Sequence, residues 1–316
     1  MLQLLTNILR GVARLFAGNL IPGEPLTRDP VSTFFKTLSL TVLGRNVRVR
    51  CEDAEAWALL VANYAQMQGE LKTADLSYTV RREKASSAFV IRRNGQEPLI
   101  ASDDSEFLFL FEKDMTIELQ ELRPDLYFIH AAVVEFTGKA LMLVGASGCG
   151  KSMTTWALLH HGFRYLSDEL GPVDLKTFKV YPYPHALCLK AEPPGSYLLP
   201  EKTLYTSRTL YVPVEDLPSG VVKGPIPLAA IFFLCYRPEG SAPTVQPISK
   251  AAAGVHLLAN ALNPLAHPGD GLDGAIEIAA RDACFELLTA DLPRTCTLVK
   301  ATLKWELPGG SIRSVG

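Results

Sequence analysis

Residues 145–152 read Gly145-Ala146-Ser147-Gly148-Cys149-Gly150-Lys151-Ser152, the complete spacing of a phosphate-binding loop. Glycines at these positions let backbone N–H groups turn inward around phosphate oxygens, and the loop opens onto the positive end of a helix. Lys151 is placed to reach β- and γ-phosphates and Ser152 to hold Mg²⁺ through its hydroxyl. Gly145, Ala146, Ser147, Gly148, Cys149, Gly150, Lys151 and Ser152 are therefore the candidate nucleotide contacts, with Cys149 a variable loop position. Sixteen residues past Ser152 comes Asp168-Glu169. A carboxylate at the strand end that follows the loop helix can bind Mg²⁺ and accept the proton of an attacking hydroxyl. Asp168 is the first candidate for both tasks, helped or replaced by Glu169.

Other polar residues allow two readings each. His130 either orients the acid pair or is simply packed in its strand. Arg237, after an apolar strand, either neutralises charge during transfer or is a surface-turn arginine. Lys190 reads more readily as a solvated strand end than as a phosphate ligand. His160 and His161 suit the negative end of the loop helix.

The elements that would position these residues follow from pattern. Ala140–Val144 is an apolar strand entering the loop, and Met153–His161 reads as the helix leaving it, with Gly162 as its cap. Phe128–Phe136 is a second strand joined to the first by the turn Thr137-Gly138-Lys139, so a hairpin feeds the loop. Phe163–Leu166 is a short strand ending at the acid pair. Upstream, Val47–Cys51, Leu76–Arg81 and Ala88–Arg92 alternate as strands, Ala54–Tyr64 is a helix by composition, and Asp103 caps a helix lined by Leu108, Phe111, Met115, Leu119 and Leu122. Downstream, Leu228–Tyr236 is the most apolar strand. Ser249 caps a helix running to Leu262, residues 263–274 form a Gly/Pro/Asp-rich loop able to cover a site, Cys284–Leu288 is a strand and Arg294–Leu303 a last helix. The resulting division is an amphipathic helix over 1–18, a linker over 19–30, a small α+β domain over 31–125 for acceptor or partner recognition, and a P-loop kinase domain over 126–316.

The 316 residues are 48% apolar and 20% charged with a net charge of −2, which argues against nucleic acid as a main partner. Six scattered cysteines with no C-x-x-C pair indicate reduced thiols and a cytoplasmic setting. No stretch has the length of a membrane span. Met1, Leu4, Leu5, Ile8, Leu9, Val12, Leu15 and Phe16 recur at helical spacing. They form a face for peripheral docking or for covering an apolar patch of the same protein.

His130, the loop at 145–152, and Gly162-Phe163-Arg164-Tyr165-Leu166-Ser167-Asp168-Glu169 together resemble the core of HPr kinase/phosphorylase. The pattern is most similar to the HPr-kinase-related serine kinases associated with peptide-modifying gene clusters. Tyr181-Pro182-Tyr183-Pro184 through Lys190, and Phe232 to Arg237-Pro238, are similar to later blocks of that group. The resemblance implies an α/β fold with a P-loop kinase core of the HPr kinase and phosphoenolpyruvate carboxykinase type. It also implies ATP and Mg²⁺ as cofactors and phosphoryl transfer to a serine hydroxyl. Met153 stands where HPr kinases usually carry an acid, the second acid is Glu169 rather than Asp, and the later glycine- and asparagine-containing signatures have no counterpart here. A peptide or protein acceptor other than HPr fits that pattern, and an oligomer is compatible with it. Two alternatives are a small-molecule P-loop kinase and a nucleotide-binding regulatory module without catalysis.

Overall fold

Two aspartates start two of the helices of the first layer by the same device. Asp53 accepts a hydrogen bond from Ala56 N and opens α1 (Ala54–Tyr64); Asp103 accepts one from Glu106 N and opens α2 (Asp104–Leu122). The computed structural model describes residues 34–83, 86–237 and 242–306, so the expected helix over 1–18 and linker over 19–30 lie outside the described residues. The two helices accompany a five-stranded sheet of order β1 (Lys36–Val42), β2 (Arg45–Cys51), β3 (Leu76–Arg82), β4 (Phe89–Arg93), β5 (Leu99–Ala101). Only β2 and β3 run parallel, with α1 in the connection between them. Phe107, Phe111, Met115 and Leu119 recur at four-residue spacing on α2, and all are buried.

The second layer begins with β6 (Leu126–Phe136) and β7 (Lys139–Val144), an antiparallel hairpin turned at Thr137 and Gly138, both at positive φ. The phosphate loop and α3 (Lys151–His160) follow. Then come β8 (Arg164–Ser167), β9 (Leu170–Asp174), β10 (Lys179–Val180) and a small sheet of β11 (Leu187–Leu189), β12 (Leu204–Tyr205) and β13 (Leu210–Val212). The chain ends in β14 (Ile226–Tyr236), β15 (Thr244–Pro247), α4 (Lys250–Ala259), α5 (Leu272–Arg281), β16 (Ala283–Thr289) and α6 (Leu292–Glu306). The main sheet has the order β10-β9-β6-β7-β14-β16-β15, with β8 also pairing β6 and β10 also pairing β14. Strands β7, β14 and β16 are parallel, so their carboxyl ends share one edge, and the loop leaves β7 at that edge. In open α/β sheets that edge is where ligands bind.

Trp156, Leu158, Phe232, Val299 and Leu303 belong to a core that joins the sheet to α3 and α6. Ala253, Leu257, Ala275 and Ile278 join the sheet to α4 and α5 in a second core. A third core, under the first sheet, continues into Leu126, Phe128, Leu170, Tyr183, Ala186 and Tyr211, so the two layers bury apolar surface against each other. The architecture is mixed α/β, and residues from Phe34 onward form one compact unit. Among the described residues no helix is long and apolar enough to cross a membrane. No cysteine is in a disulfide.

Two expectations need correction. The helix capped by Ser249 stops at Ala259 rather than Leu262, because the chain beyond it is taken up by β6. Asn260 O accepts from His130 N, and Leu262 N donates to Phe128 O. The loop expected over 263–274 gives way to α5 at Leu272. Its first part is pinned to the start of β6, where Asn263 bonds Phe128 N and Leu126 O and Tyr127 OH donates to Gly271 O.

Asp282, between α5 and β16, is 6% exposed, and burial pushes its carboxyl up to about 6 despite Lys250 and Arg281 nearby. Between about pH 4 and 6 the unfolded chain has released this proton while the folded chain still holds it. Stability from this group therefore falls as pH rises through that window, and the cost is complete above it. Asp282→Asn is expected to raise stability at pH 8 by about 1 kcal/mol or more and to leave it unchanged near pH 3.5. Urea unfolding at the two pH values measures the difference, and an equal effect at both would contradict this origin.

Candidate functional site

The loop takes the shape its glycines permit. Gly148 and Gly150 adopt φ of 85° and 92°, and Gly150 is the residue that opens α3. A Cβ on Gly145 would stand 2.7 Å from Cys149 Sγ and 3.1 Å from the carbonyl oxygen of Leu234 on the neighbouring β14. The loop therefore packs directly on the adjacent parallel strand. Lys151 Nζ donates to Gly145 O at 2.7 Å and to Ala146 O at 3.3 Å, folded back over its own loop. Burial holds its ammonium pKa below the usual lysine value, with Lys190 acting in the same direction and Cys149, Glu169 and Asp168 opposing. The hydroxyl of Ser152, in the first turn of α3, has no hydrogen-bond partner among the described residues, which leaves it available to a cation.

The acid pair is divided by the alternation of the chain at the end of β8. Asp168 faces inward, with a side-chain exposure of 0%. Its Oδ1 accepts from Tyr165 OH at 2.7 Å and its Oδ2 from Cys188 N at 2.9 Å. His185 Nε2 stands 3.0 Å from Oδ1, close enough for an ion pair although off the line of a good hydrogen bond. Glu169 faces outward with 42% of its side chain exposed, and its Oε2 lies 3.2 Å from His130 Nε2 on β6. His130 thus partners one of the acids. The pairing is made by the register in which Leu170 on β9 stands opposite His130.

Behind Asp168 is a polar chain with no expectation from the sequence, buried at His185 and part-buried at Glu112, whose side chain is 19% exposed. His185 is 1% exposed at its side chain, and its Nδ1 is 3.6 Å from Glu112 Oε1 on α2. Burial opposes a charge on His185, but Glu112 and then Asp168 prevail and raise its pKa to about 9. Burial pushes Glu112 up, against the pull of His185. Tyr183 OH donates to the same Glu112 oxygen at 3.3 Å. The signal for His185 was its place in the block Tyr181–Lys190; nothing marked Glu112, one polar residue on a helix read for its apolar face.

Lys190, just past β11, reaches the loop. Its Nζ donates to Ser147 Oγ at 3.0 Å, across 43 residues of sequence. The solvated-end reading is therefore incomplete: the side chain is exposed, and it is exposed beside the loop. Arg237 follows β14 at the same edge of the sheet, with its backbone N bonded to Thr289 O. Its guanidinium is exposed and makes no hydrogen bond or ion pair with another described residue. His160 and His161 lie at the far end of α3 against Tyr197, away from the loop.

Asp168, His185 and Cys188 bring an oxygen, a nitrogen and a sulfur within 4.8 Å of one another. These atoms are already engaged within the protein, and the Cys188 thiol, pushed well above its usual pKa by burial and by Asp168, points to Ala186 O. The cluster reads as an internal ion pair of His185 with Asp168, braced by the hydrogen bonds that Asp168 accepts.

No family model matches the chain. Over 76 residues the chain is 33% identical to an HPr kinase/phosphorylase of Lactobacillus delbrueckii subsp. bulgaricus. The matched stretch covers 24% of this chain and 23% of that protein, less than a quarter of its length. A solved structure described as the Hpr(Ser) kinase/phosphatase of Coxiella burnetii aligns over 57% of this chain and 99% of its own, at 12% identity and a TM-score of 0.29. The chain is similar to an HPr kinase-like family.

Proposed function

We propose that this chain is an ATP-dependent phosphotransferase that moves the γ-phosphoryl group to a serine-type hydroxyl on a peptide or protein. The carrying observation is convergence at one sheet edge: the glycine loop with Lys151, Lys190 on the loop's Ser147, and a half-exposed carboxylate paired with a histidine. The likeness to the HPr kinase-like family supports a kinase-type use of ATP, and a fold of the HPr kinase and phosphoenolpyruvate carboxykinase type agrees with a hairpin feeding the loop.

In this reading the backbone N–H groups of residues 145–152 cradle the phosphates. Lys151 swings from its loop carbonyls to the β/γ-phosphates, and Lys190 supplies a second cation from the bend that follows β11. Ser152, whose hydroxyl has no partner among the described residues, is the residue fitted to hold Mg²⁺. When bound there, that ion supplies neutralisation of phosphate charge. Glu169 takes the proton of the acceptor hydroxyl and His130 holds the carboxylate in place. As the new oxygen–phosphorus bond forms, the bond from Pγ to the bridging oxygen breaks and ADP leaves with its electron pair. Asp168, with both oxygens occupied and no exposure, anchors the turn that carries Glu169 and, through Cys188 N, the strand that leads to Lys190. Arg237 stands at the same edge, where it would meet the transferring group or the acceptor. The layer over 34–125 offers the acceptor-binding surface.

Lys190→Ala is expected to weaken ATP binding about tenfold, the scale of one lost charge-assisted hydrogen bond, with Tm unchanged. Isothermal titration with a non-hydrolysable ATP analogue checks this; unaltered affinity would remove Lys190 from the nucleotide site. The acceptor class is tested by comparing ADP release and product formation with serine-containing peptides, with free serine and small alcohols, and with no acceptor. Stoichiometric phosphorylation of peptides is expected. Consumption driven by free serine would instead make this a small-molecule kinase, and binding without turnover a nucleotide-binding module.

A further inference from the structure

We infer that Glu112, carried by α2 of the N-terminal layer, is a positioning residue of the phosphotransfer site that acts through His185 on Asp168. The inference rests on the phosphotransferase reading and extends it: the N-terminal layer then helps build the reaction centre as well as offering a surface to the acceptor.

The observations form an unbroken chain. Glu112 Oε1 lies 3.6 Å from His185 Nδ1, and His185 Nε2 lies 3.0 Å from Asp168 Oδ1. Asp168 Oδ2 holds the amide of Cys188, two residues before Lys190, and its own backbone continues into Glu169. One carboxylate thereby ties together the two segments that present Glu169 and Lys190 to the loop. The side chains of His185 and Asp168 are 1% and 0% exposed, so neither charge is satisfied by water. Apolar packing of α2 is supplied by Phe107, Phe111, Met115 and Leu119, and Glu112 lies beside that stripe, so the core does not require a carboxylate there. A buried ionic group of this kind adds little stability over apolar side chains of the same volume, and its best-attested use is to fix one geometry. Without Glu112, His185 would face Asp168 with only the neutral Cys188 thiol, 4.0 Å away, beside its other nitrogen, and a buried half-satisfied network loosens.

The test uses the full chain carrying Glu112→Gln, with two readouts. Amide hydrogen exchange at Cys188 needs no activity. It is expected to quicken at least tenfold while amides of β7 and β14 exchange as in the unaltered protein. Turnover with a phosphate acceptor is expected to fall about tenfold in kcat, with ATP affinity within twofold and the loss absent in an Asp168→Asn background. Unchanged Cys188 exchange overturns the inference whatever the activity, and so does quickened exchange with kcat intact, which would leave Glu112 a purely structural role. Should Glu112→Gln fail to fold, Glu112→Asp, which keeps the charge but draws it back by one methylene, carries the same readouts with a smaller expected change in both. An unaltered protein that transfers no phosphoryl group to any acceptor contradicts the phosphotransferase reading alone, and exchange at Cys188 still decides the linkage.

Discussion

Lys151→Ala should reduce phosphoryl transfer by about 10²–10³-fold while leaving the fold intact, the range seen when one preorganised charge-stabilising donor is removed. The structure explains why the fold should tolerate it. Among the described residues Lys151 Nζ bonds only the carbonyls of Gly145 and Ala146, and burial holds its charge at a disadvantage. Its removal costs little until a nucleotide arrives. Bound phosphates reverse that balance, because a buried cation beside several negative oxygens is then favoured. Circular dichroism and Tm should match the unaltered chain, whereas single-turnover transfer from γ-labelled ATP should nearly vanish. Transfer within a factor of three of the unaltered rate would show that the loop lysine does not meet the transferring phosphate.

Glu169→Gln is expected to lower kcat by about 10²–10⁴-fold, the usual worth of a positioned general base, with KM for ATP changed by less than threefold. Asp168→Asn carries a different signature. Its neutral amide cannot hold Tyr165 OH, Cys188 N and the His185 imidazolium together as a carboxylate does, so a lower Tm should accompany its loss of activity. The contrast between the two neighbours separates a residue that reacts from one that anchors. If Glu169→Gln keeps full kcat while Asp168→Asn loses it without any fall in Tm, the roles of the two acids are reversed.

Much of the local structure was legible because it depends on nearest neighbours. Asp103 before an apolar stripe, Thr137-Gly138 between two strands, and Gly162 after the loop helix each carry their own reason, and each is found where expected. Helix α5 was hidden for an equally local reason. Glycine and proline dominate the residues before it, and Gly271 at φ 80° and Gly274 against Tyr127 and Leu175 read as loop residues until the close packing is seen. The loop and the acid pair were visible as motifs, but which acid faces inward depends on His185 and Cys188, which arrive 17 and 20 residues after Asp168. Lys190 went the other way. Exposure statistics favour a solvated lysine, and they carry no information about a loop 43 residues earlier. Glu112 had no signature at all, since its partner is brought by contact between two layers.

The measurement closest to the central claim is transfer of label from γ-³²P-ATP and Mg²⁺ into a pool of serine-containing peptides by the full chain, with Lys151→Ala and Glu169→Gln in parallel. A peptide phosphotransferase requires label on serine that both substitutions remove. Intact nucleotide binding by the unaltered chain, with no label in any peptide, would contradict it.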